Sequence, residues 1–132
     1  MDTGAFVALI NDTDPQHVIA KSCIGDIESK KYPIYVSNVT IIETHKRVLF
    51  DLGYRQAVAF LTDVYSGRFN ILRVIKEDEC EAKRIIEVFS DQEFTLADAI
   101  NFSLMKRKGI LKAFAFDKHF SIFGFEKIPP FY

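Results

Sequence analysis

The sequence has little of the chemistry that holds small secreted or zinc-dependent folds together. Its 132 residues include two cysteines, Cys23 and Cys80, which lie 57 positions apart with no CxxC motif and no histidine at metal-ligand spacing. This usage argues against a disulfide framework and against a zinc site. A chain of this length buries roughly two-thirds of its unfolded surface, so its core suffices to hold a fold. We therefore expect a protein of the reducing cytoplasm.

Long apolar runs, repeats and excess charge are absent as well. No segment approaches the roughly 20 apolar residues that cross a bilayer, and the first residues lack the basic and apolar regions of an export signal. The 17 basic and 18 acidic residues give a net charge of −1. That balance excludes charge-driven wrapping of nucleic acid over the whole surface and leaves room only for a local contact. These absences predict one domain, residues 1–132, without membrane association.

What the sequence does contain is an alternation of short apolar segments with amphipathic stretches. After the apolar segment Ala5–Ile10, Asp14 as N-cap and Pro15 at the first helical position predict a helix to about Lys30. Further helices are predicted from Thr40 to Gly53, over Tyr54–Tyr65, around Ala82–Phe89 and from Thr95 to Lys108, and strands over Pro33–Ser37, Phe69–Ile75 and Lys112–Phe116. Strands separated by helices pair in parallel. We predict an α/β fold, a parallel β-sheet flanked by helices on both faces.

Four acidic residues stand where a predicted strand or apolar segment adjoins a helix or turn. They are Asp2, Glu43, Asp98 and Asp117. Ligand sites of parallel sheets form at the carboxyl ends of the strands, so these side chains are expected at one edge of the sheet. A simpler interpretation stays open for two of them, because Thr40-x-x-Glu43 and Thr95-x-x-Asp98 both match the capping box of a helix start.

If the four carboxylates converge, their mutual repulsion requires a compensating charge. Two unit charges about 4 Å apart repel by roughly 4 kcal/mol at an effective dielectric constant near 20. Either some of the carboxyl groups are protonated or a divalent cation lies between them. Oxygen ligands without cysteine or clustered histidine favour Mg²⁺ or Mn²⁺, and such sites serve phosphate chemistry in which a water attacks in line.

Four segments in this order resemble a known family. They are Asp2–Leu9, Glu43-Thr44-His45, Thr95–Ala99 and Ala113–Phe120. Their order and spacing are similar to those of the PIN-domain family, and most similar to its VapC toxins of toxin-antitoxin pairs. The resemblance implies a PIN-like three-layer sandwich, Mg²⁺- or Mn²⁺-dependent endoribonuclease activity on an RNA substrate, homodimerisation, and inhibition by a small antitoxin protein.

The resemblance also implies roles for individual residues. Asp2, Glu43, Asp98 and Asp117 match the acids that bind the metal and position the attacking water, and are therefore the predicted catalytic and metal-binding residues. Thr3, which follows the first acid, and Thr95, which precedes the third, could orient ligands or bound water. No covalent enzyme intermediate is expected.

Two departures from the family pattern bear on the metal site. In the family several apolar residues of a strand precede the first acid, whereas here Met1 alone stands before Asp2. Either the true start lies upstream or the sequence was trimmed; otherwise the α-ammonium group lies beside the site and competes for Asp2. In addition, Ala115 stands where the family commonly has threonine or serine.

Several other features leave alternatives open. His119 could contact a phosphate or accept a proton, or could be a partly exposed turn residue. Two basic segments, Lys46-Arg47 and Lys106–Lys108, could contact RNA. The second segment also complements the negative end of a helix dipole. Six of the 13 phenylalanines fall in the last 19 residues and could form a core or dimer contact or a ligand surface. A non-catalytic domain that binds an antitoxin or RNA is the alternative function.

Overall fold

The computed structural model describes residues 1–130 and has seven helices and four strands within that range. In chain order these are α1 (Thr3–Ile10), α2 (His17–Ser29), β1 (Tyr35–Ser37), α3 (Asn38–Leu52), α4 (Tyr54–Val64), β2 (Asn70–Leu72), α5 (Lys76–Val88), α6 (Leu96–Lys108), β3 (Lys112–Phe114), α7 (His119–Phe123) and β4 (Glu126–Ile128). Over this range, no helix combines the length and the hydropathy that a membrane crossing requires. The alternation confirms the predicted α/β class.

All strand pairing is parallel, as predicted, but the strands form two pairs. Strand β1 pairs with β2, with Tyr35 opposite Asn70, and β3 pairs with β4. Residues of both pairs line a groove of about 460 Å³. At one end of this groove the amino group of Met1 donates to the carbonyl oxygen of Tyr35 at 2.9 Å, and the Asp2 N–H donates to that of Phe114 at 2.9 Å. The first two residues therefore bridge the two strand pairs.

Several predicted boundaries are wrong by a few residues, for local reasons. Asp14 does not cap α2, because its carboxylate accepts the Gln16 N–H at 2.8 Å in a turn that precedes the helix. Helix α3 begins at Asn38 rather than Thr40, because the Ser37 hydroxyl accepts the Thr40 N–H at 3.1 Å and caps the helix earlier. The strands are shorter than predicted, and α1, α7 and β4 were not predicted; the apolar segment Ala5–Ile10 belongs to helix α1.

Two glycines end helices with backbone angles that other residues rarely adopt. Gly53 has φ 99° between α3 and α4, and Gly109 has φ 68° after α6. Both lie where the sequence predicts a helix end, since a residue without a β-carbon adopts positive φ at little cost.

The C-terminal phenylalanines belong to the core. Phe102 of α6 is fully buried and stacks on Phe123 with ring centroids 4.7 Å apart, and it contacts Phe120 edge to face at 5.1 Å. The other members of this group that the structure describes, Phe114, Phe116 and Phe125, also pack in hydrophobic clusters. Phe131 lies outside the described residues. Core packing therefore accounts for these aromatic rings and positions α6 and α7 against each other.

Candidate metal centre

Two acids and a histidine form the centre of the site. Asp98 lies in the first turn of α6, Asp117 in the loop after β3, and His119 at the first position of α7. The His119 Nδ1 atom is 3.2 Å from Asp98 Oδ2 and 3.5 Å from Asp117 Oδ1. One ligand atom from each of the three residues lies within 4.8 Å of the others. These three side chains could therefore share one ion.

His119 is held in this position by contacts on two sides. Its backbone N–H donates to Asp117 Oδ1 at 2.9 Å, and its ring packs edge to face on Phe94 with centroids 5.1 Å apart. Its side chain is 19% exposed. The imidazole thus faces both carboxylates. The sequence, which predicted a turn at His119, did not indicate this position.

Asp2 lies next to this cluster and carries the largest electrostatic perturbation. The pKa of the Asp2 carboxyl is raised to about 6, mainly by burial and to a smaller extent by the charges of Asp98 and Asp117, while the Thr3 backbone N–H and the α-ammonium group act in the opposite direction. Burial also lowers the pKa of the Met1 amino group to about 6. Two of the other predicted acids are therefore close enough to affect the ionisation of Asp2.

Glu43 completes the group from α3. The residue lies at the exposed rim of the site. Partial burial of its carboxyl group raises its pKa, and the charges of Asp2 and Asp98 add to that rise. The structure thus brings the four predicted acids into one region. Asp2 precedes α1, Glu43 lies within α3, Asp98 lies in the first turn of α6, and Asp117 follows β3.

The two capping interpretations have different outcomes. At α6 the capping box is confirmed: the Thr95 hydroxyl accepts the Asp98 N–H at 3.1 Å, and Asp98 Oδ2 accepts the Thr95 N–H at 3.3 Å. The same carboxylate also faces His119, so Asp98 caps the helix and belongs to the site. At α3 the capping interpretation is wrong, because Ser37 is the N-cap and Glu43 lies more than a turn into the helix. Glu43 is therefore free of a capping role.

Hydroxyl and amide groups surround the acids. Thr3, a predicted site residue, accepts a hydrogen bond from the buried Thr44 hydroxyl at 3.3 Å. A buried group formed by Ser37, Thr40 and Asn101 lies one turn from the acids of α3 and α6. Sequence reasoning missed Thr44 and this group. The signal available was a polar residue, Asn101, within an otherwise apolar helix.

Two of the basic residues that could contact RNA form ion pairs within the protein. Arg107 donates to both oxygens of the buried Asp78, at 2.9 Å in each case, and so joins α6 to α5. Asp78 also accepts the Ile75 N–H at 3.0 Å at the start of α5. Arg47 pairs with Asp51 on the surface at 3.7 Å. Arg107 is therefore explained without RNA.

The donor set suits a hard divalent cation. Carboxylate oxygens are the preferred ligands of Mg²⁺ and Mn²⁺. Burial is the main cause of the raised pKa values of Asp2 and Glu43, and repulsion from neighbouring carboxylates adds to it. A cation among these carboxylates would relieve that repulsion and favour their ionised forms. The residues present therefore fit such an ion.

Comparison with known proteins identifies relatives over almost the whole chain. A PIN domain family model matches residues 1–126. The 23S rRNA-specific endonuclease VapC20 of Mycobacterium tuberculosis is 32% identical over 130 residues, which is 98% of this chain and 97% of the relative. Ribonuclease VapC26 of the same organism is 26% identical over 122 residues, or 92% of this chain and 88% of the relative.

The fold comparison agrees. The crystal structure of Mycobacterium tuberculosis VapC20, described as a Sarcin-Ricin loop cleaving toxin, is similar with a TM-score of 0.84 and 32% identity, covering 94% of this chain and 93% of that one.

Proposed function

The chain belongs to the PIN domain family as a VapC-type ribonuclease, and from that membership we propose how it cleaves RNA. Asp2, Glu43, Asp98 and Asp117 hold one or two Mg²⁺ or Mn²⁺ ions, and water attacks an RNA phosphodiester. The family is generally metal-dependent; the identity of the ion and its ligands are our proposal. The comparisons favour this activity over a non-catalytic binding domain.

One observation carries the proposal. Asp98, Asp117 and His119 approach within 4.8 Å of one another, and Asp2 and Glu43 are close enough for their charges to act on this group. Among the described residues, His119 is the only ion-pair partner of the predicted acids, through Asp98 and Asp117, and the α-ammonium group beside Asp2 has a lowered pKa. A divalent cation would supply compensating positive charge among these carboxylates.

The residues of the chain each have a part in the reaction. When bound, a divalent ion supplies a polarised water and stabilises charge on the phosphate. The backbone N–H of Thr95 holds Asp98 Oδ2 and so fixes the direction of this carboxylate. His119, which contacts both Asp98 and Asp117, lies where it could donate a hydrogen bond to a phosphate oxygen. The Asp2 carboxyl must lose its proton to act as a ligand, so protons and the metal ion compete for this group.

The RNA target and partners follow from the relatives. VapC20 is named as specific for 23S rRNA, and we propose a structured ribosomal RNA loop as the substrate here also. VapC toxins pair with VapB antitoxins, and we propose a small antitoxin partner, a homodimer and a cytoplasmic location for this protein.

The test is cleavage of a panel of structured RNAs, including 23S rRNA, with Mg²⁺, Mn²⁺ or EDTA. Asp98→Asn is the informative variant because asparagine retains an oxygen for the Thr95 N–H while it loses the charge. We expect metal-dependent cleavage by the wild type and a loss of about 10²-fold or more in the variant. Asp91→Asn, at an exposed aspartate, is the matched control. Full cleavage by Asp98→Asn would refute the assignment of the site.

A further inference from the structure

Three polar side chains form a buried hydrogen-bond network beneath the acids. The Ser37 hydroxyl donates to Asn101 Oδ1 at 2.6 Å, and Asn101 Nδ2 donates to the Thr40 hydroxyl at 3.1 Å. The Ser37 oxygen also accepts the Thr40 backbone N–H at 3.1 Å. All three residues are buried. The network therefore joins the end of β1, the first turn of α3 and the middle of α6.

The network lies one helical turn from two of the acids. Thr40 stands three residues before Glu43 in α3, and Asn101 stands three residues after Asp98 in α6. Residues three apart lie on the same side of a helix, about 4.5 Å apart along its axis. The Asn101 to Thr40 hydrogen bond thus lies one turn from both Glu43 and Asp98. It connects the two helices at the level where their carboxylates approach the site.

An apolar side chain in place of Asn101 would fill the same space without the free-energy cost of removing a polar group from water. A polar group removed from water costs free energy unless each of its atoms finds a partner. Here each does, since no buried side-chain polar atom in the described part of the chain lacks a hydrogen-bond partner. In this network the amide oxygen faces the Ser37 hydroxyl and the amide nitrogen faces the Thr40 hydroxyl. Such directional bonds specify one relative placement of two helices, which apolar contacts do not.

We propose that Asn101 is a positioning residue, which sets the relative axial position of α3 and α6 through Thr40 and so controls the separation of Glu43 and Asp98, two carboxylates that the proposed function assigns to the divalent cation. The inference rests on the proposed metal-dependent function and extends it to residues that touch neither metal nor substrate. Partners that orient metal ligands from outside the first coordination sphere change metal affinity by 10- to 100-fold in general.

The test measures Mn²⁺ binding by calorimetry on the folded full chain, well below its unfolding temperature. Asn101→Leu keeps the approximate volume and removes both amide hydrogen bonds, and Thr40→Val removes only the hydroxyl. We expect each to weaken Mn²⁺ binding by about tenfold. The double variant is expected to bind no more weakly than Asn101→Leu alone, because Thr40→Val breaks a hydrogen bond that Asn101→Leu has already removed.

Ile85→Val is the control for a simple loss of stability. Ile85 is buried in α5, where it packs in the same cluster as α6 residues but outside the network. We expect it to lower the unfolding temperature and leave Mn²⁺ affinity within about twofold, because the folded fraction keeps its site. If Asn101→Leu does not fold, Thr40→Val alone decides the question.

The outcomes separate the two ideas. A wild type that binds Mn²⁺, with folded variants that bind it equally well, would overturn the role of Asn101 and leave the proposed function intact. Additive losses in the double variant would also overturn it, since the two residues would then act independently. A wild type that binds no divalent cation would overturn the proposed metal-dependent function, and the positioning role with it.

Discussion

Replacing Asp2 by asparagine is expected to stabilise the metal-free protein while it destroys metal binding. Burial and the nearby carboxylates raise the pKa of Asp2 to about 6, compared with about 3.9 for an unperturbed aspartate. At neutral pH the folded protein therefore contains an ionised group that its environment disfavours. Asparagine has nearly the same shape and no charge, so it removes this unfavourable term.

The sign of the pH dependence follows from proton binding. The folded state holds the Asp2 proton more tightly than the unfolded chain does, so wild-type stability falls as the pH rises from about 4 to about 6 and this loss is complete above that range. The Met1 amino group, whose pKa burial lowers to about 6, contributes the opposite slope between about pH 6 and 8. The Met1 amino group is present in both proteins, so its contribution cancels to first order in the stability difference between the wild type and Asp2→Asn. The advantage of Asp2→Asn should therefore be absent near pH 4 and full at pH 7.

The size of the Asp2 pKa shift limits the stability that Asp2→Asn can gain. About two pKa units correspond to about 3 kcal/mol. Asp2 is only half-buried, and solvent screening reduces the expected gain to about 1–2 kcal/mol. For a chain of this length that gain is a rise of about 4–8 °C in unfolding temperature.

Adding a divalent ion should reverse the order of the two proteins. Mn²⁺ at 100 times its dissociation constant stabilises the wild type by about 2.7 kcal/mol and leaves the variant almost unchanged. The assay is thermal unfolding at pH 4 and pH 7, in EDTA and in Mn²⁺, with Asp12→Asn as the control at an exposed aspartate. A variant that is less stable than the wild type at pH 7 in EDTA, or a difference independent of pH, would refute the reasoning.

Two further predictions concern the parts of the fold that support the site. Arg107→Met leaves the Asp78 carboxylate, which is 1% exposed, without its partner, and urea unfolding at pH 7 should show a loss of about 3–5 kcal/mol. Because the Arg107 guanidinium holds the pKa of Asp78 low, this loss should shrink as the pH falls to 4, and an equal loss at both values would contradict the buried pair. Adding three or four β-branched residues before Met1 should raise the unfolding temperature, because β1 and β3 each pair with one strand within the described residues, and both line the groove that Met1 and Asp2 also line. An equally long Gly/Ser extension is the control, and the same rise with both would count against a strand in the groove.

The sequence could predict those features that depend on neighbours along the chain. The capping box of Thr95 and Asp98 and the left-handed Gly109 after α6 are set by hydrogen bonds within one or two turns. Parallel pairing followed from strands separated by helices, since short connections cannot join parallel strands. The four acids could be selected from the sequence because each stands within a few residues of a predicted strand, helix or apolar segment boundary.

The start of α3 shows where local reasoning ends. Both Ser37 and Thr40 are good capping residues, and the Thr40-x-x-Glu43 pattern favoured the second. The tertiary structure decided for Ser37, because its hydroxyl can cap α3 and donate to Asn101 of α6 at once. A residue 64 positions away, which no periodicity indicates, therefore fixed the helix start and freed Glu43 for the site.

The sequence by itself determined the fold class, the order of the elements from α2 to β3 and the acids that merit attention, since local hydrogen bonds and hydrophobic periodicity specify them. Tertiary structure alone decided that His119 faces Asp98 and Asp117, that Asn101 joins two helices, and that the strands form two pairs joined by the first two residues. The physical reason is distance along the chain. These contacts form between residues that only the packing of the whole domain brings together, and the free energy of each depends on the burial and charge that this packing creates.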